Sequence, residues 1–166
     1  MRIGIDGRTI LNVSGGERAG VGHYTYYLVK NLLLEDKKND YVLFFDNRFK
    51  AIEEFKKYHN VTIKFFPFYR LKRYLPFLYS HLFVSFILNK ANLDIYHAPA
   101  NIIPLFYHKK SIVTIHDLGI YKYPEFFPKK FLNRQSFAKK ILVPKSLQKA
   151  TKIIAVSKNT KSDIIE

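Results

Sequence analysis

The amino-acid sequence predicts an α/β domain built on a doubly wound, mainly parallel sheet with helices on both faces. Three observations carry that expectation. β-rich runs alternate with stretches of helical spacing along the chain. One run, Tyr41-Val42-Leu43-Phe44-Phe45, is apolar at every position, as suits a strand covered on both faces. No internal repeat or flexible linker interrupts the alternation, so the 166 residues are expected to form one domain around one core.

Arg2 to Asp6 is the first predicted strand, and it runs into a glycine-rich loop from Gly7 through Gly22. Val21, Tyr24, Leu28 and Leu32 then recur at helical spacing, and the polar run Glu35 to Asp40 ends the helix. Tyr41 to Phe45 is the second strand. The charged segment Arg48 to Tyr58 suits a surface helix, and Val61 to Phe66 has the branched and aromatic content of a third strand. From Leu71 to Lys90 apolar residues are too dense for a one-sided helix, and Pro76 fits its first turn. Its apolar centre, Leu75 to Leu88, is shorter than the roughly 20 residues that span a bilayer, which argues against membrane crossing. Leu93 to His97 and Ser111 to His116 are further strands. A lysine-rich helical region follows from Lys129 to Gln148, which Pro144 should bend or divide. Lys152 to Val156 is the last strand, and Ser157 is placed to cap a helix running to Glu166. A helix just begun after a strand is normally followed by a return strand or a further domain, so the chain is expected to be a piece of a longer protein.

Composition narrows the chemistry. Hydrophobic residues make up 48% and charged residues 25%, the balance of an ordered chain with a real core. Fifteen Phe and twelve Tyr, with no Trp, mean that aromatic rings fill much of it. No Cys is present, which removes disulfides, thiolate nucleophiles and Cys-bound metals and permits a reducing compartment. The acid and the glycine in Met1-Arg2-Ile3-Gly4-Ile5-Asp6 interrupt the apolar run too early for a secretory signal, so a cytoplasmic location is expected; a peripheral site on the inner face of the cell membrane is a further expectation. Twenty-eight Lys and Arg against thirteen Asp and Glu leave a formal charge of +15. Such a charge attracts nucleic acid, an anionic membrane surface or phosphorylated small molecules, and equally serves as a solvated, solubilising surface.

In an open parallel sheet, ligands bind beyond the carboxyl ends of the strands. That rule selects the loop Gly15-Gly16-Glu17-Arg18-Ala19-Gly20-Val21-Gly22, then His97-Ala98-Pro99, His116-Asp117-Leu118 and Ser157. The loop glycines could let backbone N–H groups and a helix start meet a phosphate, or could simply serve turns. The dinucleotide fingerprint fails because Thr25 stands where its third glycine is required. The Walker loop fails because Val21 replaces its lysine. His116 and Asp117 deliver a titratable ring and a carboxylate to the rim together, fit either to bond sugar hydroxyls or to cap the next turn. His97 could reach a ligand or satisfy local backbone groups. No third His or spaced carboxylate supports a metal site, and no G-x-S-x-G elbow supplies a nucleophile.

Taken in order, these residues resemble the N-terminal domain of the retaining family 4 type glycosyltransferases, enzymes with two Rossmann-like domains. Arg2-Ile3-Gly4-Ile5-Asp6-Gly7-Arg8 opens the chain, and Gly20-Val21-Gly22-His23-Tyr24 opens the first helix. Asp94-Ile95-Tyr96-His97-Ala98-Pro99, Val113-Thr114-Ile115-His116-Asp117-Leu118 and Ile153-Ile154-Ala155-Val156-Ser157 follow. Each motif is loose; five in family order across nearly the whole chain are specific.

The resemblance implies a hexosyltransferase-type enzyme that moves a sugar from a nucleotide-diphosphate sugar to an acceptor hydroxyl with retention, in glycan, glycolipid or polysaccharide synthesis, with no cofactor and no metal. It implies that residues 1–166 are the acceptor-side domain, with Gly20, Val21 and Gly22 near the donor diphosphate and Tyr24, His97 and Asp117 among the substrate-binding residues. His116 would bond the transferred sugar and stabilise an oxocarbenium-like transition state, while Ser157 and Thr160 would lie near the interdomain cleft. A sugar or lipid-linked acceptor is the expected partner. Apart from the resemblance, Tyr69-Arg70-Leu71-Lys72-Arg73-Tyr74 and the helix after it read either as a segment resting on an anionic membrane or as a core helix with a basic entrance. The family's paired glutamates and main nucleotide pocket belong to a C-terminal domain beyond this chain, so residues 1–166 alone are expected to turn over weakly or not at all. A non-enzymatic nucleic-acid-binding domain is the alternative. Its support is the charge and the aromatic rings, but the cations are not clustered in a recognised motif, which argues against nucleic acid as partner.

Overall fold

A computed structural model describes residues 1–10, 20–46, 53–67, 74–126 and 140–166. Within them six strands form one sheet: β1 (Arg2–Asp6), β2 (Asp40–Asp46), β3 (Val61–Phe66), β4 (Ile95–Ala98), β5 (Ser111–Ile115) and β6 (Lys152–Ala155). The order is β3-β2-β1-β4-β5-β6, and every neighbouring pair is parallel. Successive strands step outward from β1 to β3, and the chain then crosses back to lay β4 against the free side of β1. Between β1 and β4 the order reverses, which opens a crevice beyond their carboxyl ends.

β2 shows how the sequence builds the two layers. Tyr41, Leu43 and Phe45 point to one face, where they meet Ile5 of β1, Tyr26, Val29 and Leu33 of helix α1 (Val21–Glu35), and Phe55 of α2 (Glu53–Lys56). Val42 and Phe44 point to the other face. There they join Tyr96, Ala98, Val113 and Ile115 with Tyr79, Val84 and Leu88 of the helix that follows β3, and Val143 of the helix at 140–149. The alternation follows from the pleat, which sends successive side chains to opposite faces. Leu43, Phe44 and Phe45 are each at most 1% exposed, and each buried side chain of this size contributes about 1.5–3 kcal/mol. Ring stacking of Phe44 on Phe66 and Phe45 on Phe55, at 5.4 and 5.7 Å between centroids, ties the two layers to their helices and edge strand.

The fold matches the predicted α/β class, with four local differences. The helix after β3 does not keep one periodicity: Leu78–Phe83 is a π-helical turn that passes into α3 (Val84–Lys90). Bonding one residue further along the chain leaves no mark in apolar spacing, so periodicity cannot reveal it. The helix at 140–149 continues through Pro144 and is not divided there; residues 127–139 lie outside the described residues. A short helix α4 (Gly119–Lys122) and a 3₁₀ turn (Pro124–Phe126) follow β5, both too short to show a period. In the predicted helix Arg48 to Tyr58, the described helical residues are Glu53–Lys56. The last helix, Lys158–Ile165, is α6, counting the helix at 140–149 as α5.

Candidate active site

The rim of the crevice is assembled from the ends of β1, β4, β5 and β6 and the start of α1. At the end of β1 the Asp6 carboxylate is buried and held from several sides. The Arg8 guanidinium grips it with Nη2 to Oδ2 at 2.6 Å and Nε to Oδ1 at 2.9 Å, and the Tyr96 hydroxyl donates to Oδ2 at 2.8 Å. Burial alone would raise the carboxyl's pKa; the Arg8 charge and the hydrogen bonds from Arg8 and Tyr96 outweigh it, so Asp6 titrates below its ordinary range. The guanidinium lies 5.1 Å from the Phe66 ring centroid, which shields the pair. A charge at this point is thereby fixed under the switch point of the sheet. Sequence reasoning did not select this trio; the Asp6-x-Arg8 spacing at a strand end was the available signal.

Gly20 immediately precedes α1, and its φ of 92° and ψ of −101° lie where side-chain-bearing residues rarely go. A Cβ there would meet nothing within 4 Å, so the backbone faces open space. Tyr24 N–H is bonded to the Gly20 carbonyl at 2.8 Å. The N–H groups ahead of it, including those of Val21 and Gly22, have no partner within the helix, and among the described residues no side chain caps it. Gly22 itself is buried, Val21 half-buried. Residues 11–19, which include the Gly15-Gly16 part of the predicted loop, lie outside the described residues.

His116 follows β5 and is half-buried. Its Nε2 lies 2.7 Å from the Pro99 carbonyl. A carbonyl only accepts, so Nε2 carries the hydrogen and the neutral ring keeps Nδ1 as an acceptor. The Tyr24 ring stands edge-on to the imidazole, 4.9 Å between centroids at 90°. Both backbone groups of His116 are also held: its N–H donates to Asn101 Oδ1 at 2.8 Å, and its carbonyl accepts from Thr160 Oγ1 at 3.1 Å. Asn101 occupies the left-handed region with φ 64°, and its own N–H donates to the Thr114 carbonyl at 2.9 Å. Asn is one of the few residues that adopts this conformation readily. Asn101 was not among the sequence candidates; an Asn two residues past Pro99, between paired strands, was the cue.

The other sequence candidates divide into those at the rim and those beneath it. Ser157 caps α6 as predicted, its Oγ accepting from Thr160 N–H at 3.0 Å. With the Thr160 hydroxyl committed to His116, the Ser157 hydroxyl donates in the 3.0 Å contact between the two side chains. Thr160 is 5% exposed and serves His116 rather than the surface. His97 is also 5% exposed, with Nε2 2.8 Å from Thr114 Oγ1, which in turn lies 3.4 Å from the Tyr24 hydroxyl. Burial pushes its pKa down to about 4, so it stays neutral beside Thr114. Asp117 is exposed at the rim and accepts from Gly119 N–H at 3.3 Å. The structure thus brings Tyr24, His116, Asn101, Ser157 and Thr160 into one contiguous set, with His97 buried behind it. Among the described residues no group of three His, Asp or Glu side chains could hold a metal ion.

The family model described as Glycosyltransferase Family 4 matches residues 18–166. No curated protein and no solved structure matches the chain significantly.

Proposed function

The chain belongs to glycosyltransferase family 4, and from that premise we propose that it is the acceptor-side domain of a retaining, hexosyltransferase-type enzyme using a nucleotide-diphosphate sugar. The family match supports glycosyl transfer; the rim geometry supports assigning His116 the central role. In this reading the donor diphosphate approaches Gly20, Val21 and Gly22, where the N–H groups of the first turn of α1 and its positive dipole end favour a dianion. His116 Nδ1 accepts a hydrogen bond from a hydroxyl of the transferred sugar, and Tyr24 holds the ring upright. Asp117, exposed beside it, is free to receive further hydroxyls.

The reaction then runs as follows. The bond from the anomeric carbon to the diphosphate oxygen breaks, and positive charge spreads over the anomeric carbon and ring oxygen. The acceptor hydroxyl oxygen forms the new bond on the same face, and its proton passes to the departing phosphate oxygen. His116 favours the developing cation by its lone pair and its fixed position, the preorganised electrostatics that commonly dominate catalysis. A second domain carrying the nucleotide pocket completes the site in this proposal, and the acceptor is a sugar or a lipid-linked glycan.

The observation that carries the assignment is the ring, backbone N–H and backbone carbonyl of His116 all held at the sheet rim of a family 4 domain. In the two-domain parent, His116→Ala is expected to lower transfer by about 10²–10³-fold, with circular dichroism unchanged. Unchanged transfer would remove His116 from the mechanism, and inversion at the anomeric centre, read by NMR coupling, would remove retention.

A further inference from the structure

The connection from β4 to β5, residues 99–110, contains no helix or strand, yet side chains from two flanking helices take up its backbone groups. On one side the helix after β3 supplies His81 and Asn89. His81 Nδ1 accepts from Leu105 N–H at 3.3 Å, and Asn89 donates to the Phe106 carbonyl at 3.0 Å and accepts from His108 N–H at 3.3 Å. On the other side α5 supplies Ser146 and Lys149. Ser146 Oγ accepts from Ile103 N–H at 2.9 Å while donating to the Leu142 carbonyl at 2.6 Å. The Lys149 ammonium donates to two consecutive carbonyls, Pro104 at 2.9 Å and Leu105 at 2.8 Å. Connecting segments on a surface usually leave such groups to water.

Lys149 is the costly member of this set. It is half-buried, and among the described residues no carboxylate pairs with it. Burial pulls its pKa down to about 8. An apolar side chain of similar length would fill the same space without an unpaired charge. What lysine adds is a pair of charge-assisted bonds to the connection.

Those bonds fall just beyond the two groups that hold His116. The Pro99 carbonyl takes its ring N–H and Asn101 Oδ1 its backbone N–H. The backbone between is not slack: Asn101 N–H donates to the Thr114 carbonyl at 2.9 Å, Ile102 N–H to the Ala100 carbonyl at 2.8 Å, and Ile103 is 2% exposed. We propose that Ser146 and Lys149 are positioning residues, through which α5 braces the β4–β5 connection and so holds the His116 imidazole in one orientation and one tautomer. Neither touches substrate; both act through Pro99 and Asn101. The consequence for transfer rests on the role given to His116 above, whereas the orientation of the ring is measured without substrate.

The test is NMR of the chain isotopically labelled at its histidine nitrogens, with the His116 signals assigned by their loss in His116→Gln. At about pH 7.5 the two ring nitrogens should show the widely separated shifts of a single Nε2–H tautomer. Lys149→Met should draw the two shifts toward each other, with circular dichroism unchanged. Lys149→Arg, whose guanidinium can donate to both carbonyls, should restore the separation. Asn89→Ala deletes as many bonds from the far end of the same connection and should leave His116 unmoved. In the two-domain parent, Lys149→Met is expected to lower kcat about tenfold with KM for the donor little changed, and Lys149→Arg to recover most of it. Ser146→Ala is read in the same way where Lys149→Met does not fold. His116 shifts that stay in place in both Lys149→Met and Ser146→Ala overturn the proposal. So does an equal movement in Asn89→Ala, which makes the connection a general part of the fold. Moved shifts with unchanged kcat keep the brace and remove His116 from the transfer mechanism instead.

Discussion

The rim around His116 and the outer face of the helix after β3 begin at the same edge of the sheet but are built on opposite terms. At the rim each polar group of His116 that bonds within the fold has a named partner, and its neighbours Asn101, Thr160 and Ser157 are themselves tied down. On the helix face the side chains project into solvent. Chemistry that discriminates between ground and transition states needs groups already in place, because ordering them during reaction raises the barrier. The difference therefore predicts that small changes at the rim matter more than large changes on the face.

Acid gives the largest expected effect, and it acts on a buried histidine behind each region. His97 lies beneath the rim and His81 on the inner side of the helix, where its Nδ1 accepts from Leu105 N–H at 3.3 Å. Burial lowers both from 6.5 to about 4, with Arg8 and Lys149 adding repulsion at His81 and Asp6 partly opposing the shift at His97. Below pH 6.5 the unfolded chain binds protons that the folded chain refuses, so this stability is full above 6.5 and is lost as pH falls toward 4. Asp6, with its depressed pKa, adds a loss only below its ordinary 3.8. The unfolding free energy read from urea titrations should fall by a few kcal/mol in total across that window, on the order of 1–3 kcal/mol for each histidine. His97→Gln should remove about half of the slope; a flat profile from pH 6.5 to 4 contradicts the neutral burial of both rings.

Asn101 sharpens the comparison next. Its carboxamide holds the His116 N–H, and Asn101→Gly keeps the left-handed backbone while deleting that hold. Transfer by the parent should fall about tenfold in kcat, with KM for donor little changed and stability altered by less than about 1 kcal/mol. A positioning role predicts that split; a loss of stability with normal kcat assigns Asn101 to the fold alone. Gly20→Ala follows. It meets open space but must adopt φ 92°, so thermal denaturation should show a loss of about 1–3 kcal/mol from backbone strain alone.

The sheet was legible because its signals are local. β2 is apolar at every position from Tyr41 to Phe45, and burial at both faces is what that pattern encodes. Ser157 was legible for the same reason, as a capping hydroxyl three residues before Thr160. His116 stood out by type and place, a titratable ring at a strand end. What surrounds it did not, since Pro99, Asn101, Tyr24 and Thr160 approach His116 only once four separate segments have been brought together. Long-range pairing leaves no periodic trace in one sequence. Asp6 and Tyr96 are 90 positions apart, so their bond was equally hidden. Thr160 was expected near the cleft, and its buried hydroxyl donates to the His116 carbonyl, a bond that one sequence cannot show.

Leu82→Glu is the smallest expected effect on stability and the sharpest test of the comparison. Leu82 is 50% exposed, whereas Val84 and Leu88, on the inward side of the same helix, are fully buried. Placing a carboxylate at Leu82 leaves the core untouched, and a surface change of this kind stays within about ±0.5 kcal/mol. Val84→Glu, two positions along, buries an unpaired charge and should cost more than about 3 kcal/mol. If urea denaturation finds the two substitutions equally damaging, the outer face is packed in solution and is not a free surface. If Leu82→Glu is silent while Val84→Glu unfolds the domain, the outer face contributes nothing to the core and is open to contact from outside the fold.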